Sequence, residues 1–528
     1  MDPSPPDVPL TRATTILLPP TPHTPSFSLT SSNKSYKHQY ANIYFVRLRL
    51  LRGVVEERAR ARWANVQGSP VLVPRVLDVI KTKLCWIVGT VYMDMPLKPN
   101  VLEDIARDRS LPAPAPPSKI YSQEDTVMLE DESGRLVLIG EKVQKARLVT
   151  GVIIAALGVE TSSGEFEVVD ICEAGLAPQP WLVDEVVGEA EDGMDVDGEG
   201  GDVGDEWIAL TSGLNVGEAS EADAQIQMLV EYLTGEAGGL EDQASSSRIS
   251  RLIIAGNSLS AAVSTPSGSN GVEVGERKPR RYGYDATTFS AHPTENLSST
   301  LHDIAQVMPI HILPGENDPS GTILPQQSFP RAMFGSASSF SSFSCETNPT
   351  YLRLSTGHDS EADAGVASTS SSRPRTYTWS ILANSGQPLN DMFKYLPSPP
   401  TTRLSLVEST LRWRHMAPTA PDTVWCHPYF TTDPFVINET PDLYIIGNQP
   451  RFQTKMVSEK GKGGIGEGGK GKGKGKRCRV VLVPGFAETG VLVLVNLRTL
   501  GVKSVRFAVE GMNAGGDEGD MDASVAVS

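Results

Sequence analysis

Four short stretches after residue 206 decide how the chain folds: LTSGLNVG (210–217), IIAGNSLS (253–260), LPGENDPS (313–320) and YIIGNQP (444–450). Each begins with apolar residues that are typical of a buried β-strand and ends at a turn that contains glycine. Segments with helical periodicity lie between them, and this alternation indicates an α/β layered domain. The sequence predicts that the domain occupies residues 207–511.

The first half of the chain has a different pattern. Residues 71–182 contain about five short strands separated by Gly, Ser-Gly and Asp-Glu turns, which is typical of a small closed barrel of the OB type. Residues 35–70 have apolar positions three and four apart, which predicts an amphipathic helix that packs on the α/β domain. Residues 1–34 are rich in Pro, Ser and Thr, and we expect a disordered tail that can be removed without harm.

Four further segments are low in complexity, and we expect each of them to be disordered. They are the acidic block 183–206, a Ser-rich insertion at about 358–375, a Gly/Lys run at about 455–477 and the acidic tail 512–528. The Gly/Lys run contains chance matches to phosphate-binding motifs, but it lacks the flanking strand and helix that such motifs need. It remains either a basic loop that contacts DNA phosphates or carries a nuclear-import signal, or a tolerated insertion.

Composition excludes several classes of protein. The 528 residues include 47 Lys and Arg against 63 Asp and Glu, a net charge of −16, so the chain as a whole is a poor binder of nucleic acid. Five scattered cysteines form neither a metal-binding motif nor a disulfide framework, which fits a reducing compartment. We find no membrane-spanning run and no secretory signal, and we therefore expect no membrane partner. His415 and His427 have too few neighbouring ligands for a metal, and we interpret both as structural.

The four glycine turns resemble the strand ends of the calcineurin-like phosphoesterases, which carry the motifs D-x-H, G-D, G-N-H-[DE] and G-H-x-H. The resemblance implies a two-layered β sandwich flanked by helices, with two metal ions held at those turns. The corresponding positions in this sequence are Gly213, Asn215, Asn257, Glu316, Asn317, Asp318, Asn448 and Pro450. Glycine and proline side chains cannot bind a metal, and neutral amides cannot balance two divalent charges. We therefore expect an inactivated domain with no catalytic, metal-binding or cofactor-binding residue, and no cofactor.

A barrel followed by such a domain resembles the B-subunit family of the replicative DNA polymerases alpha, delta and epsilon. PGENDPSGTILPQQSFPRAMF (314–334) and LRWRHMAPTAPDTVWCHPYFTTDPFVI (411–437) resemble the small subunits of DNA polymerase delta in particular. Both segments are long and unusual in composition. The resemblance extends from about Tyr36 to Val509 and is interrupted mainly by the low-complexity segments.

The resemblance implies a non-catalytic scaffolding and regulatory subunit of the nuclear DNA polymerase delta complex, acting in DNA replication and repair synthesis. Such a subunit holds the C-terminal metal-binding domain of the catalytic chain and also a third subunit, and its DNA contact is indirect, through the complex. An active metal-dependent phosphodiesterase or exonuclease with an altered site is the alternative, and stoichiometric bound manganese or zinc would favour it. A single-strand-binding module is a third hypothesis, which the salt dependence of affinity would test.

Overall fold

The computed structural model describes nine parts of the chain, which are residues 10–30, 34–37, 39–99, 117–180, 206–217, 222–260, 292–356, 377–459 and 475–508. The predictions of disorder for residues 183–205, 358–375 and 512–528 fall outside these parts. Among the described residues, no helix is long and apolar enough to cross a membrane.

The helices and strands divide into two sets along the chain. The first set is β1 (Thr15–Leu18), α1 (Asn42–Trp63), β2 (Val71–Leu72), β3 (Cys85–Asp94), β4 (Thr126–Glu130), β5 (Arg135–Ile139), α2 (Glu141–Lys145), β6 (Ile153–Glu160) and β7 (Phe166–Cys172). The second set is β8 (Trp207–Thr211), α3 (Ala222–Thr234), α4 (Leu240–Ser247), β9 (Ile249–Ala255), α5 (His292–Val307), β10 (Ile310–Leu313), β11 (Phe343–Cys345), β12 (Thr350–Thr356), β13 (Thr378–Asn384), α6 (Gln387–Lys394), α7 (Arg403–Trp413), β14 (Leu443–Gln449), β15 (Gln453–Glu459), β16 (Lys476–Pro484), α8 (Phe486–Thr489), β17 (Val491–Asn496) and β18 (Val502–Arg506). Short 3-10 helices cover Val76–Asp78 and Arg331–Ser339.

Strands β3 to β7 form a closed barrel, as the spacing of strands and turns predicts. The strands follow the order β3-β4-β5-β7-β6, and β6 pairs with β3 to close the sheet. Along β3, Ile87 and Val91 point into the barrel, whereas Trp86 and Val88 point outwards beneath α1. Both faces of this strand are therefore covered, which explains why its sequence is apolar at successive positions instead of alternating.

Helix α1 differs from its prediction in its start and in its packing. It begins at Asn42 rather than near residue 35, and it ends at Trp63. Its apolar face, which includes Leu51 and Val55, packs mainly on the outward-facing side chains of β3 and β6, such as Ile153. The prediction that α1 packs on the α/β domain was wrong for most of its length, because those outward-facing strand residues need a cover of their own.

Two six-stranded sheets form the rest of the molecule outside the barrel. Sheet I has the order β1-β12-β13-β14-β16-β15, and sheet II has the order β11-β10-β9-β8-β17-β18. Side chains such as Leu210 and Ile381 fill the space between the sheets. Helices α3 and α5 cover the outer face of sheet II, and α6 and α7 cover that of sheet I. The result is a β sandwich flanked by helices, consistent with the predicted layers.

The N-terminal segment is ordered where the sequence predicts a disordered tail. Strand β1 pairs antiparallel with β12 at the edge of sheet I, with Thr15 opposite Thr356. Arg12 donates hydrogen bonds to the carbonyl oxygens of residues on the opposite layer, Leu233 at 2.7 Å, Ser246 at 2.9 Å and Ile249 at 3.0 Å. This segment has little apolar surface of its own, but it completes an existing sheet, and composition alone does not reveal that possibility.

Phe27 fixes the end of the same segment. Its side chain is buried, and its ring stacks on Tyr351 at 5.7 Å and on Phe435 at 6.5 Å between ring centroids. Residues 10–30 therefore contact both sheets and the main apolar core.

The Gly/Lys run is also shorter than predicted. β15 continues to Glu459 and β16 begins at Lys476, and these two residues are paired across the hairpin. The predicted ends of the run, residues 455–459 and 476–477, thus belong to paired strands. Only residues 460–474 lie outside the described part of the chain.

One buried ion pair joins α1, the barrel and the sandwich. The Arg47 side chain is fully buried, and its Nε lies 2.7 Å from Asp433 Oδ2. Its other nitrogens donate to the carbonyl oxygens of Gly151 in the barrel (3.1 Å) and of Pro418 (2.7 Å) and Ala420 (2.9 Å) in the sandwich domain. Every polar atom of the guanidinium group is therefore satisfied by a partner from a distant part of the sequence.

His415 completes this junction. Its Nε2 lies 2.9 Å from Asp433 Oδ2, and its Nδ1 accepts from the Ala417 N–H at 3.2 Å. Burial, and then the neighbouring Arg47, lowers the pKa of His415 to about 4, so the imidazole is neutral near pH 7. Burial alone would raise the pKa of Asp433, but Arg47 and His415 outweigh it and hold that pKa well below its usual range.

We expect the N-terminal segment to contribute to stability, contrary to its composition. Replacing Phe27 by Ala should lower the free energy of unfolding by about 3 kcal/mol or more, because a buried aromatic ring is removed. Ile16→Ala, at a half-exposed site in the same segment, should change it by less than about 0.5 kcal/mol. Deleting residues 1–30 should lower the melting temperature by several degrees in thermal denaturation. An unchanged melting temperature would contradict the structural role of this segment.

Two arginines of α1 provide a matched test of the junction. Arg47 and Arg62 each place Nε 2.7 Å from an Asp Oδ2, but only the pair of Arg47 with Asp433 is fully buried. Arg47→Met should lower the free energy of unfolding by about 3–5 kcal/mol, because it leaves a buried carboxylate without its cation. Arg62→Met should cost about 1 kcal/mol or less. Chemical denaturation measures both, and equal costs would refute the special role of Arg47.

Candidate functional site at the strand ends

The four glycine turns predicted from sequence meet at one place in the structure. The Gly213 N–H donates to the Gly256 carbonyl oxygen at 2.8 Å, which joins the ends of β8 and β9. A Cβ atom on Gly256 would lie 3.0 Å from the Cα of Gly315 and 3.2 Å from Nδ2 of Asn448. The turns thus approach each other closely enough that only glycine fits at their centre.

The structure therefore brings most of the predicted site residues together. Six of the predicted residues lie in the meeting turns: Gly213, Asn215, Asn257, Asn317, Asp318 and Asn448. We call these six residues, together with the residues that hydrogen-bond to them, the strand-end cluster. Glu316 and Pro450 belong to the same turns, but their side chains are exposed at the surface.

Three asparagines of the cluster have left-handed backbone conformations. The φ angles are +47° at Asn215, +54° at Asn257 and +54° at Asn448. Asparagine adopts this region more readily than residues with long or branched side chains. The backbone conformation therefore favours asparagine at each of these positions, whether or not the side chain stands in place of a metal ligand.

The Asn448 side chain links the two sheets. Its Nδ2 donates to the carbonyl oxygens of Ala255 (3.2 Å) at the end of β9 in sheet II and of Ser385 (2.9 Å) just after β13 in sheet I. Its backbone N–H donates to Ser212 Oγ at 2.9 Å. An amide group in this position provides structural hydrogen bonds across the open end of the sandwich.

Asp318, the one carboxylate buried in the cluster, is occupied by backbone donors. Its Oδ1 accepts from the Leu259 N–H at 2.8 Å, and its Oδ2 accepts from the Gly315 N–H at 2.7 Å. Burial raises the pKa of this carboxyl group, although the backbone N–H groups oppose the shift. Next to it, Asn257 Oδ1 accepts from the Asn317 N–H at 3.0 Å. These bonds fasten the third turn to the second.

A neutral hydrogen-bond network behind the turns was missed from the sequence. Asn348 Nδ2 lies 2.6 Å from Gln326 Oε1 and 2.7 Å from Gln387 Oε1, and Gln326 Nε2 donates to the Gly315 carbonyl oxygen at 3.0 Å. The Ser385 N–H donates to Asn348 Oδ1 at 3.0 Å. Gln326 lies in a segment that carries the family resemblance, but no sequence pattern connects it with Asn348 or Gln387.

The donor set of the cluster does not fit a pair of divalent ions. Such a centre needs several carboxylate and imidazole ligands directed at one point. Among the described residues, no three His, Cys, Asp or Glu side chains form a group that could hold a metal. Asn215 Oδ1 is buried without a hydrogen-bond partner in the described chain, but one amide oxygen is too weak a donor to hold such an ion. His415 and His427 are buried in segment 411–437, where His415 bonds to Asp433 and His427 packs against Tyr429.

Comparisons with known proteins agree with this architecture. The family model for the DNA polymerase delta subunit OB-fold domain matches residues 39–171, and the model for the B subunits of DNA polymerases alpha and epsilon matches residues 208–358 and 367–454. The DNA polymerase delta small subunit of Arabidopsis thaliana is 34% identical over 472 residues, covering 89% of this chain and 92% of the relative. This chain belongs to the family of DNA polymerase delta small subunits.

Relatives from other kingdoms give the same result. The DNA polymerase delta small subunit of Saccharomyces cerevisiae (strain ATCC 204508 / S288c) is 32% identical over 512 residues, covering 92% of each chain. The DNA polymerase delta subunit 2 of Drosophila melanogaster is 30% identical over 486 residues, covering 90% of this chain and 94% of the relative. The family resemblance inferred from sequence is confirmed, as is the OB fold of the barrel.

Asp318 and its neighbour Glu316 test whether the cluster is structural. Asp318→Ala should lower the free energy of unfolding by about 2–4 kcal/mol, because it leaves two backbone N–H groups without acceptors. Asp318→Asn keeps one acceptor oxygen and should cost less. Glu316→Ala, at an exposed position of the same turn, should change stability by less than about 0.5 kcal/mol. Urea denaturation that gives Asp318→Ala and Glu316→Ala the same stability would contradict this assignment.

Proposed function

We propose that this chain is the non-catalytic scaffolding and regulatory subunit of a nuclear DNA polymerase delta complex. In this proposal it bridges the C-terminal metal-binding domain of the catalytic chain and a third subunit during DNA replication and repair synthesis, and DNA is reached through the complex. Membership of the small-subunit family supports a role in that complex.

The composition of the strand-end cluster is the observation that carries the proposal. An inactivated phosphoesterase-like domain at 207–511 accounts for glycine turns that are retained where metal ligands are not. The amides of Asn448 and Asn348 donate to protein oxygens, and Asp318 accepts from backbone N–H groups. Groups engaged in this way stabilise the strand ends and are not available for acid–base work or for activating water.

A rigid connection between the two folded parts supports a bridging role. The interior of the proposed OB domain, residues 71–182, is continuous with the apolar core under α6 and α7. Arg47 and Asp433 then fix α1 to both parts. A subunit that holds two partners in a defined relative position needs this kind of fixed interdomain geometry, since a mobile hinge would leave their relative position undefined.

The rival functions have less support. An active phosphodiesterase or exonuclease would need ligands that the cluster does not offer. A single-strand-binding barrel would need exposed aromatic and cationic side chains on the barrel face. The sequence from 148 to 247 has no Lys or Arg, although it supplies β6 and β7 of the barrel.

Reconstitution with and without this chain can test the bridging. We expect this chain to co-elute in gel filtration with the catalytic polymerase chain alone, with the third subunit alone, and with both together. The catalytic chain and the third subunit should not co-elute when this chain is omitted. Direct association of those two without this chain, or failure of this chain to bind either of them, would overturn the scaffolding proposal.

An activity assay belongs to the same test, since the purified chain should not hydrolyse a generic phosphodiester in the presence of Mn²⁺. Turnover that persists through purification and is lost in a folded Asn448→Ala variant would favour the enzymatic alternative.

A further inference from the structure

Five exposed aromatic side chains belong to two segments that contact each other. Tyr36, Tyr40 and Phe45, in and before the start of α1, have exposed fractions of 57%, 48% and 54%. Trp425 and Phe430, in the segment that precedes Asp433, have exposed fractions of 62% and 55%. We call these five residues the aromatic patch. Isolated exposed apolar residues are common on protein surfaces, but a cluster of large aromatic rings is typical of a binding surface.

Direct contacts hold the two segments of the patch together. Asn42 Nδ2 donates to the Phe430 carbonyl oxygen at 2.9 Å. The Tyr36 ring packs edge-on against His427, with 5.3 Å between ring centroids. The two segments that carry the patch are therefore in direct contact, although they lie nearly 400 positions apart in the sequence.

Packed aromatic rings support the patch. Beneath it, Tyr429 packs against His427 at 5.1 Å and against Phe435 at 6.2 Å. Phe45 is half-exposed near the start of α1, one helical turn before the buried Leu48. Rigid aromatic side chains lose little conformational entropy on binding, and they dominate the binding energy of protein interfaces.

The charge around the patch is positive, in contrast to the chain as a whole. Residues 34–52 contain no Asp or Glu, and residues 424–432 contain no charged residue other than the titratable His427. Lys34, Lys37 and Arg49 are exposed and lie within four residues of Tyr36 or Phe45 in the sequence. The nearest carboxylates in the sequence are engaged, since Asp433 pairs with Arg47 and Asp422 pairs with Lys98.

We propose that the aromatic patch binds a protein subunit of the polymerase complex, through a segment whose apolar side chains are flanked by carboxylates. This inference rests on the proposed scaffolding function and adds the surface that performs it. The aromatic centre with a charged rim is the composition of a protein interface. Three exposed cations in a chain of net charge −16 are too few for a nucleic-acid site, which needs a denser cationic face.

The test replaces one aromatic residue from each segment in the double variant Phe45→Ser/Trp425→Ser. We expect its melting temperature to match that of the unaltered chain, because both side chains are exposed. Its affinity for the catalytic chain or for the third subunit, measured separately by surface plasmon resonance on the full chain, should fall roughly tenfold or more. The control is Leu240→Ser/Val307→Ser on α4 and α5, whose side chains are exposed on the opposite layer, and it should bind as the unaltered chain does.

Charge reversal tests the rim. Lys37→Glu/Arg49→Glu should slow association, and it should weaken or invert the dependence of the association rate on salt. Lys142→Glu/Lys145→Glu, exposed cations on α2 of the barrel, should have little effect.

The outcomes separate the two proposals. If Phe45→Ser/Trp425→Ser binds both subunits normally, the patch is not the docking surface, although the scaffolding function stands. If the unaltered chain binds neither of the two partners, both proposals are overturned. If the unaltered chain instead binds a 30-nucleotide single strand and the aromatic variant does not, the occupant is nucleic acid and the protein-partner inference is wrong.

Discussion

The buried guanidinium of Arg47 fixes how the parts of this molecule are arranged. It contacts Asp433 and the carbonyl oxygens of Gly151, Pro418 and Ala420, so one side chain of α1 joins the barrel to the sandwich. A buried ion pair adds little net stability, because desolvation of both charges offsets their attraction. Its contribution here is specificity, since any other placement of the barrel would leave a charge buried without its partner. A side chain at Gly151 would overlap both Arg47 and Pro418.

In the strand-end cluster, too, buried polar groups are held by specific partners from other parts of the chain. Asn448 connects Ala255 in sheet II with Ser385 at the end of sheet I, and Asp318 fastens one turn to the next through backbone N–H groups. Parallel strands that end together leave carbonyl and N–H groups without sheet partners, and burial makes each unsatisfied group costly. The cluster satisfies these groups from within the chain. These hydrogen bonds hold the strand ends of the two sheets together.

Sequence reasoning succeeded where the local pattern of residues reflects the position of the segment in the fold. Apolar runs predict strands such as β3 and β9, and the glycine turns predict where the strands of the α/β domain end. It failed where a segment depends on distant residues. Nothing within residues 10–30 reveals that β12 has a free edge for β1, or that Tyr351 and Phe435 leave a place for Phe27. The partners of Arg47 and Asn348 are likewise hundreds or tens of residues away, beyond any local pattern.

The asparagines of the cluster have two explanations that turn out to be compatible. The resemblance to phosphoesterases implies that they are positions where an amide stands in place of a metal ligand. In this structure, Asn215, Asn257 and Asn448 are also the residues best suited to a left-handed backbone at a strand end. Whatever these turns bind, their left-handed backbone and their buried N–H groups have to be accommodated. Asparagine meets both demands, and in the function that we propose the same geometry serves as the frame of a scaffold.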